Sequence, residues 1–281
     1  MQSQKPPKQN PYKIEIRRYQ LSVGTITSAE RKRLDYHSIL FVLSGALEHE
    51  VDFQTYRVGA GELFIIPRGC VHRRIAGKEV DLYEIRFQDD FFSVIQKELL
   101  NGFLRYALAL RKLVIPVQPH QREQIEGYFS LLEMEQNESD NQNQVFLLQN
   151  LMLALLNKLE GLIQSLPEAN SFINQRKPFQ RFIALVDEHF VAHKSLDFYT
   201  MALQMTSRKL NEVLKEVLGQ TANQYIIGRT MTEAKRELCF TERSIKEIAI
   251  ALGYDNQYYF SRIFKKRIGL SPEQFRTQFA Q

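Results

Sequence analysis

Met205-Thr-Ser-Arg-Lys-Leu210-Asn-Glu-Val-Leu214-Lys215-Glu-Val-Leu-Gly219 returns about 50 residues later as Tyr254-Asp-Asn-Gln-Tyr-Tyr-Phe260-Ser-Arg-Ile-Phe264-Lys265-Lys-Arg-Ile-Gly269. Leu210 matches Phe260, Leu214 matches Phe264, Lys215 matches Lys265 and Gly219 matches Gly269, after which Thr221 and Tyr225 match Ser271 and Phe275. A short amphipathic unit used twice, each time with a basic polar face, predicts two reading heads for a duplex polymer rather than one catalytic pocket.

The second copy shows the reading in detail. Ser244-Ile-Lys-Glu-Ile-Ala249-Ile-Ala-Leu-Gly253 places Ser244 at an N-cap with Glu247 three residues on, a capping box. Ile245, Ile248, Ala249 and Leu252 form one stripe, and Gly253 suits a left-handed helix end. A second helix, Asn256 to Ile268, turns Phe260, Ile263 and Phe264 inward. At about 100° per residue, Tyr258, Arg262 and Lys265 fall on the opposite face, with Ser261 and Lys266 beside them. In the first copy Leu196 to Gln204, a Met205-Thr206 turn and a helix from near Ser207 leave Arg208, Asn211, Glu212 and Lys215 outward. Helix, turn and basic second helix make the helix-turn-helix arrangement. Between the copies, Thr221 to Leu238 reads as one helix, a rod of roughly 27 Å at 1.5 Å per residue. Such a rod could hold two heads about one duplex turn apart, roughly 34 Å.

Charge agrees with this division. From Lys177 to the end there are 16 Lys and Arg against 11 Asp and Glu, whereas the first 176 residues hold 21 of each, so the whole net charge of +5 lies on the repeat-bearing segment. Cys70 and Cys239 stand far apart without a CxxC or Cys/His cluster, which argues against a disulfide framework or structural zinc and fits a reducing cytoplasm. The sequence shows no apolar run approaching the roughly 20 residues that cross a bilayer. The polar start lacks the apolar core of a secretory signal and predicts a disordered tail over residues 1–11.

Residues 12–90 read as short strands. Ile39-Leu-Phe-Val-Leu43 and Leu63-Phe-Ile-Ile66 are apolar runs closed by Ser44-Gly45 and Pro67-Arg-Gly69, and Val80 to Phe87 largely alternates. This predicts a small antiparallel barrel or double sheet. After Asp90 the pattern becomes helical, with a polar loop over Glu133–Gln144. Val145, Leu148, Met152, Leu155, Leu159 and Leu162 then recur at threes and fours, as a dimer seam or as packing on the chain's own sheet. The expected organisation is α+β: a sheet domain over 12–90, a helical segment over 91–166 that could dimerise, a linker over 167–178 and an all-helical domain over 179–281.

Ser244 to Arg276 resembles the signature of the AraC/XylS family of bacterial transcription regulators, and the similarity extends over about 100 residues. The resemblance implies a DNA-binding regulator rather than an enzyme, with Arg208, Asn211 and Glu212 in the first head and Gln257, Tyr258 and Arg262 in the second facing bases. Lys215, Arg229, Lys265 and Lys266 would meet phosphates. The side-chain chemistry suits these roles: Arg forks onto guanine, Asn onto adenine, Glu accepts from cytosine and Tyr touches the thymine methyl. Two departures stand out. Thr200 replaces a small Ala of the family pattern, and Glu212 brings a carboxylate near phosphates, so the first head is expected to bind less tightly.

Gly61 to His72 resembles the second motif of the cupin barrel, the usual N-terminal half of this family, which implies a hollow effector-binding domain and a homodimer. The resemblance also admits RNA polymerase as a partner. The first cupin motif lacks its metal ligands, Val51 and Phe53 standing there, and Ala76 replaces the usual Asn of the second. A lone His72 cannot supply the three or so protein ligands of a catalytic metal site. No metal or cofactor is therefore expected; His72, like His37 and His49, is read as structural, His72 closing a loop by hydrogen bonding. Two rivals remain at this point: a cupin enzyme carrying a DNA-binding tail, and a regulator whose first domain only dimerises or binds a protein.

Overall fold

The structure is a computed structural model that describes residues 14–21, 30–92, 113–138, 143–164 and 176–279. The expected tail over 1–11 and most of the expected linker lie outside those residues.

The first domain is an antiparallel sheet of β1 (Ile14–Leu21), β2 (Lys32–Arg33), β3 (His37–Val51), β4 (Gln54–Gly59), β5 (Glu62–Ile66), β6 (Val71–Phe87) and β7 (Val114–Pro116). Its path runs β1-β6-β3-β5-β7, with β2 on β6 and β4 on β3. The alternation expected of a two-faced sheet sorts its residues cleanly. Ile39, Phe41, Leu63, Ile65, Tyr83 and Ile85 join one buried cluster, while Leu40, Val42, Phe64, Ile66, Val80 and Leu82 join a second. Register shifts between Val42 and Ala46 and between Glu48 and His49 interrupt the β3–β6 ladder, as β-bulges that bend strands do. Val114–Pro116 was expected to be helical; it is a strand because it completes the edge of β5, pairing Leu63 with Ile115.

Two helices, α1 (Pro119–Asn137) and α2 (Gln144–Gln164), cover the first cluster. Phe129 of α1 stacks within 5.7 Å of both Phe41 and Tyr83. Gln136 fastens α1 to the edge strand, accepting from the Ile16 amide at 2.7 Å and donating to the Ile16 carbonyl at 3.0 Å. The polar stretch from Glu133 is thus helical as far as Asn137, because Leu132 buries beneath it. Along α2, Leu148, Met152, Leu155 and Leu159 are fully buried, so the stripe read from sequence packs against its own domain. By length and composition Gln144–Ile163 is nevertheless apolar enough to cross a membrane, contrary to the reading of the sequence. The discrepancy arises because α2 also carries apolar residues outside its buried stripe: Phe146 is 64% and Leu147 38% exposed.

The second domain is helical: α3 (Arg176–His189), α4 (Leu196–Leu203), α5 (Ser207–Leu218), α6 (Ala222–Phe240), α7 (Ile245–Ala251), α8 (Gln257–Ile268) and α9 (Pro272–Phe279). Helix α3 begins inside the stretch read as linker, since Phe179 and Phe182 are buried and carry the pattern back to Arg176.

Candidate nucleic-acid interface

The two heads, α4–α5 and α7–α8, are built by the same local chemistry. Thr206 caps α5 by accepting from the Lys209 amide, and Asn256 caps α8 by accepting from the Tyr258 and Tyr259 amides. Gly219 and Gly269 end the two helices in the left-handed region, where a residue without Cβ is unstrained. Inside, Leu210, Val213 and Leu214 of α5 and Phe260 and Phe264 of α8 are fully buried. Thr200, the departure in α4, is accommodated by donating its hydroxyl to the Asp197 carbonyl at 2.9 Å.

The turns inside the heads also correspond. Met205 N–H donates to the Thr200 carbonyl, and Tyr254 N–H to the Ala249 carbonyl, both at 2.9 Å. The left-handed position is Gln204 (φ 54°) in the first head and Gly253 (φ 77°) in the second. The second turn is crowded: a Cβ on Gly253 would overlap the Val191 carbonyl oxygen. Lys194 donates to the Val191 carbonyl at 3.1 Å, lies over the Tyr254 ring at 5.2 Å, and burial lowers its pKa to about 8. The loop after α3 is thereby tied to the second head.

Arg208, Glu212, Lys215, Tyr258, Arg262, Lys265 and Lys266 are all exposed, and Gln257 is half-buried. The sheet domain docks elsewhere and leaves these side chains open. Arg208 Nε donates to Glu212 Oε1 at 3.1 Å, and Arg262 lies 5.5 Å from the Tyr259 ring centre.

Two residues expected on the DNA face also make contacts within the fold. Asn211 accepts at 2.9 Å from the amide of Ala222, the first residue of α6, so it serves the helix end left open by its missing intrahelical acceptor. Arg229 donates to Asp187 at 2.9 Å and to Glu233 at 3.3 Å and lies 4.3 Å over Phe190. Both residues are half-buried, so these contacts come in addition to the outward positions that periodicity gives them.

The linker helix α6 meets the sheet domain along its other side. Arg236 donates to both Asp52 oxygens at 2.9 and 2.6 Å, Arg33 reaches Glu233 and Glu237 at 2.6 and 3.2 Å, and Lys235 donates to the Asp52 carbonyl at 3.1 Å. Burial alone would raise the Asp52 pKa; Arg236 outweighs it and holds the carboxyl below its usual range. Next to Asp52, Phe53 packs edge-on against Phe275 and Phe279 of α9, and Phe275 in turn meets Phe264 of α8. No sequence pattern pointed to this contact; the signal available was Asp52-Phe53 itself, a two-residue turn with neither Gly nor Asn.

In the sheet domain, His72 does bond a neighbour: its Nδ1 lies 2.8 Å from His49 Nε2, with the rings stacked. Burial lowers the pKa of His72 to about 4 and pushes that of His49 well below its usual value, so both are neutral at pH 7. His37 bridges Asp89 and the Arg68 amide. Among the described residues no group of three or more His, Cys, Asp or Glu could hold a metal. On one face of the sheet Leu40, Val42, Phe64, Val80 and Leu82 form a buried cluster. A cleft of about 440 Å³ opens between the domains, bordered by Phe53, Tyr56, Arg68, Tyr225, Arg229 and Lys235.

A sheet domain followed by two matching helix-turn-helix units defines a DNA-binding transcription regulator, and comparison with known proteins agrees. Residues 22–156 match the AraC-like ligand binding domain and residues 199–278 a helix-turn-helix domain. The chain is 24% identical to the MmsAB operon regulatory protein of Pseudomonas aeruginosa, across 89% of this chain and 78% of that protein. It is 33% identical to the regulatory protein SoxS of Escherichia coli, across 37% of this chain and 97% of SoxS. One solved structure of ToxT from Vibrio cholerae aligns at 13% identity with a TM-score of 0.46, covering 96% of this chain and all of that one. The chain belongs to the AraC/XylS family of transcription regulators.

Proposed function

We propose that the protein is an effector-responsive, dimeric member of its family that binds DNA in the cytoplasm through both heads. The observation that carries the DNA-binding part is the shared cap-to-cap register of α5 and α8 with their polar faces open beside a docked sheet domain. Arg208 and Glu212, with Gln257, Tyr258 and Arg262, are the residues assigned to base edges; Lys215, Lys265 and Lys266 are assigned to phosphates.

An effector acts in this scheme by binding one arrangement of the two domains better than another, shifting the population competent for DNA. The domain match and the cleft beside Asp52 support that reading. Dimerisation is assigned to the outer side of α1 and α2, where Leu131, Met134, Phe146 and Leu147 are 50%, 63%, 64% and 38% exposed. An apolar surface of that kind favours self-association over solvent. The matched relatives are regulators, and RNA polymerase is the partner through which an activating member would work.

Genome-wide mapping of bound sites tests the reading. A shared motif upstream of a few operons is the expected result, and uniform, motif-free occupancy would contradict it. Phe146→Glu should leave a folded monomer by sedimentation; an unchanged mass would remove α2 from the dimer interface.

A further inference from the structure

The two heads are close copies in backbone and core, yet their exposed faces carry opposite chemistry at one position. Counting from the caps, Thr206 and Asn256, the sixth residue is Glu212 in the first head and Arg262 in the second. Helix α5 holds three Lys and Arg against two Glu, whereas α8 holds four and no acid. Glu212 is 51% exposed and faces two cations of its own helix, Arg208 at 3.1 Å and Lys209 at 3.9 Å. Asn211, also expected to face bases in this head, accepts through Oδ1 from the amide of Ala222, whereas Arg208 and Glu212 are both exposed.

A carboxylate in the major groove is matched best by the exocyclic amine of cytosine: guanine and thymine offer it only acceptors or a methyl group, and adenine sets its N7 acceptor beside its amine. On random DNA, Glu212 can relieve its repulsion from phosphates only by keeping Arg208 and Lys209, which withdraws those cations from the backbone. On cytosine it gains a donor and frees them. Arg262, by contrast, seeks guanine O6 and N7 and is not neutralised by any acid on its own helix.

We propose that Glu212 is the specificity-determining residue of the first head: it selects cytosine where Arg262, at the equivalent place in the second half-site, selects guanine, and it lowers affinity for all other sequences. Binding strength then resides in the second head and discrimination in the first. This rests on the assignment of the two heads to DNA.

The test is selection from a randomised duplex library with the full-length wild type, Glu212→Gln, Glu212→Ala and Arg262→Ala, each followed by salt titration. For the wild type, one position in each half-site should be fixed, as C and as G. Glu212→Ala should bring the C preference, about tenfold or more for a good contact, to within about twofold. It should also tighten binding to random duplex and steepen the salt slope by about one phosphate contact as Arg208 is released. Glu212→Gln should shift the preference toward adenine. Unchanged base preference in both Glu212 variants, or weaker binding to random DNA, overturns the proposal, while Arg262→Ala losing only its own position would show the two-headed reading still standing. A wild type that enriches no sequence overturns both. Both Glu212 variants should keep the wild-type melting temperature, because the side chain is on the surface.

Discussion

Asp52 and Arg236 are separated by 184 positions in the chain, yet their side chains meet in a two-point ion pair at 2.6 and 2.9 Å. The pair joins the β3–β4 hairpin tip to the linker helix between the heads, and Cys70 lies beneath it with its thiol pushed up to about 12 by burial. Asp52 and Phe53 both have positive φ, 47° and 68°, the backbone of a two-residue type I′ hairpin that usually takes Asn-Gly. The strain of a left-handed Phe is offset by its contacts with Phe275 and Phe279.

Removing one partner of this pair should strand a buried charge. Arg236→Ala is expected to cost about 3–5 kcal/mol in chemical denaturation. Asp52 has a lowered folded pKa, so its contribution is full above the unfolded value near 4 and fades as pH falls through the folded one. Stability measured from pH 6 down to pH 2 should therefore drop less steeply in Asp52→Asn than in the wild type.

The two head turns should respond oppositely to one exchange. Gly253→Ala places a Cβ against the Val191 carbonyl oxygen at positive φ, and should cost at least about 1–2 kcal/mol. Gln204→Gly removes a left-handed Gln from an open position and should be neutral or stabilising by up to about 1 kcal/mol. Thermal melts of both variants check this pair.

Asn211→Ala should behave as the loss of a helix-end acceptor. The expected cost is about 1 kcal/mol of stability, with the base preferences of the bound site unchanged. A changed preference would return Asn211 to the DNA face.

Lys265 is exposed in the last turn of α8. Lys265→Ala should weaken binding to all sequences alike and flatten the salt dependence by about one contact, as measured by anisotropy on specific and random duplexes.

His72 is neutral in the fold, with its pKa lowered to about 4 by burial. The unfolded chain takes up its proton near pH 6.5, so between these values the unfolded state binds more protons and stability rises with pH. The melting temperature of the wild type should climb from pH 4 to 6.5, and His72→Gln should flatten part of that climb.

The twin heads were legible because every feature that makes them is local. Capping residues, stripes at threes and fours, Gly253 and the matched cores of α5 and α8 act over a few residues, and each predicted helix formed within one or two positions of its expected ends. The rod between the copies, read as Thr221 to Leu238, is the helix Ala222–Phe240 with Thr221 as its cap. What periodicity leaves out is the neighbourhood: it tells which residues point away from a helix's own core, but not which of them a second element also touches. Asn211 and Arg229 are both outward by spacing, and each also bonds a neighbouring element, Asn211 the start of α6 and Arg229 Asp187 of α3.

By itself the sequence determined the α+β division, the paired helix-turn-helix units and their buried and exposed faces, since those follow from short-range propensity and spacing. Tertiary structure alone decided that Val114–Pro116 is a strand, that α2 packs its stripe on its own sheet, and that Asp52 and Phe53 grip the linker helix and α9. These depend on contacts between segments far apart in the chain, where the gain comes from burying apolar surface and pairing charge across an interface that no local pattern encodes.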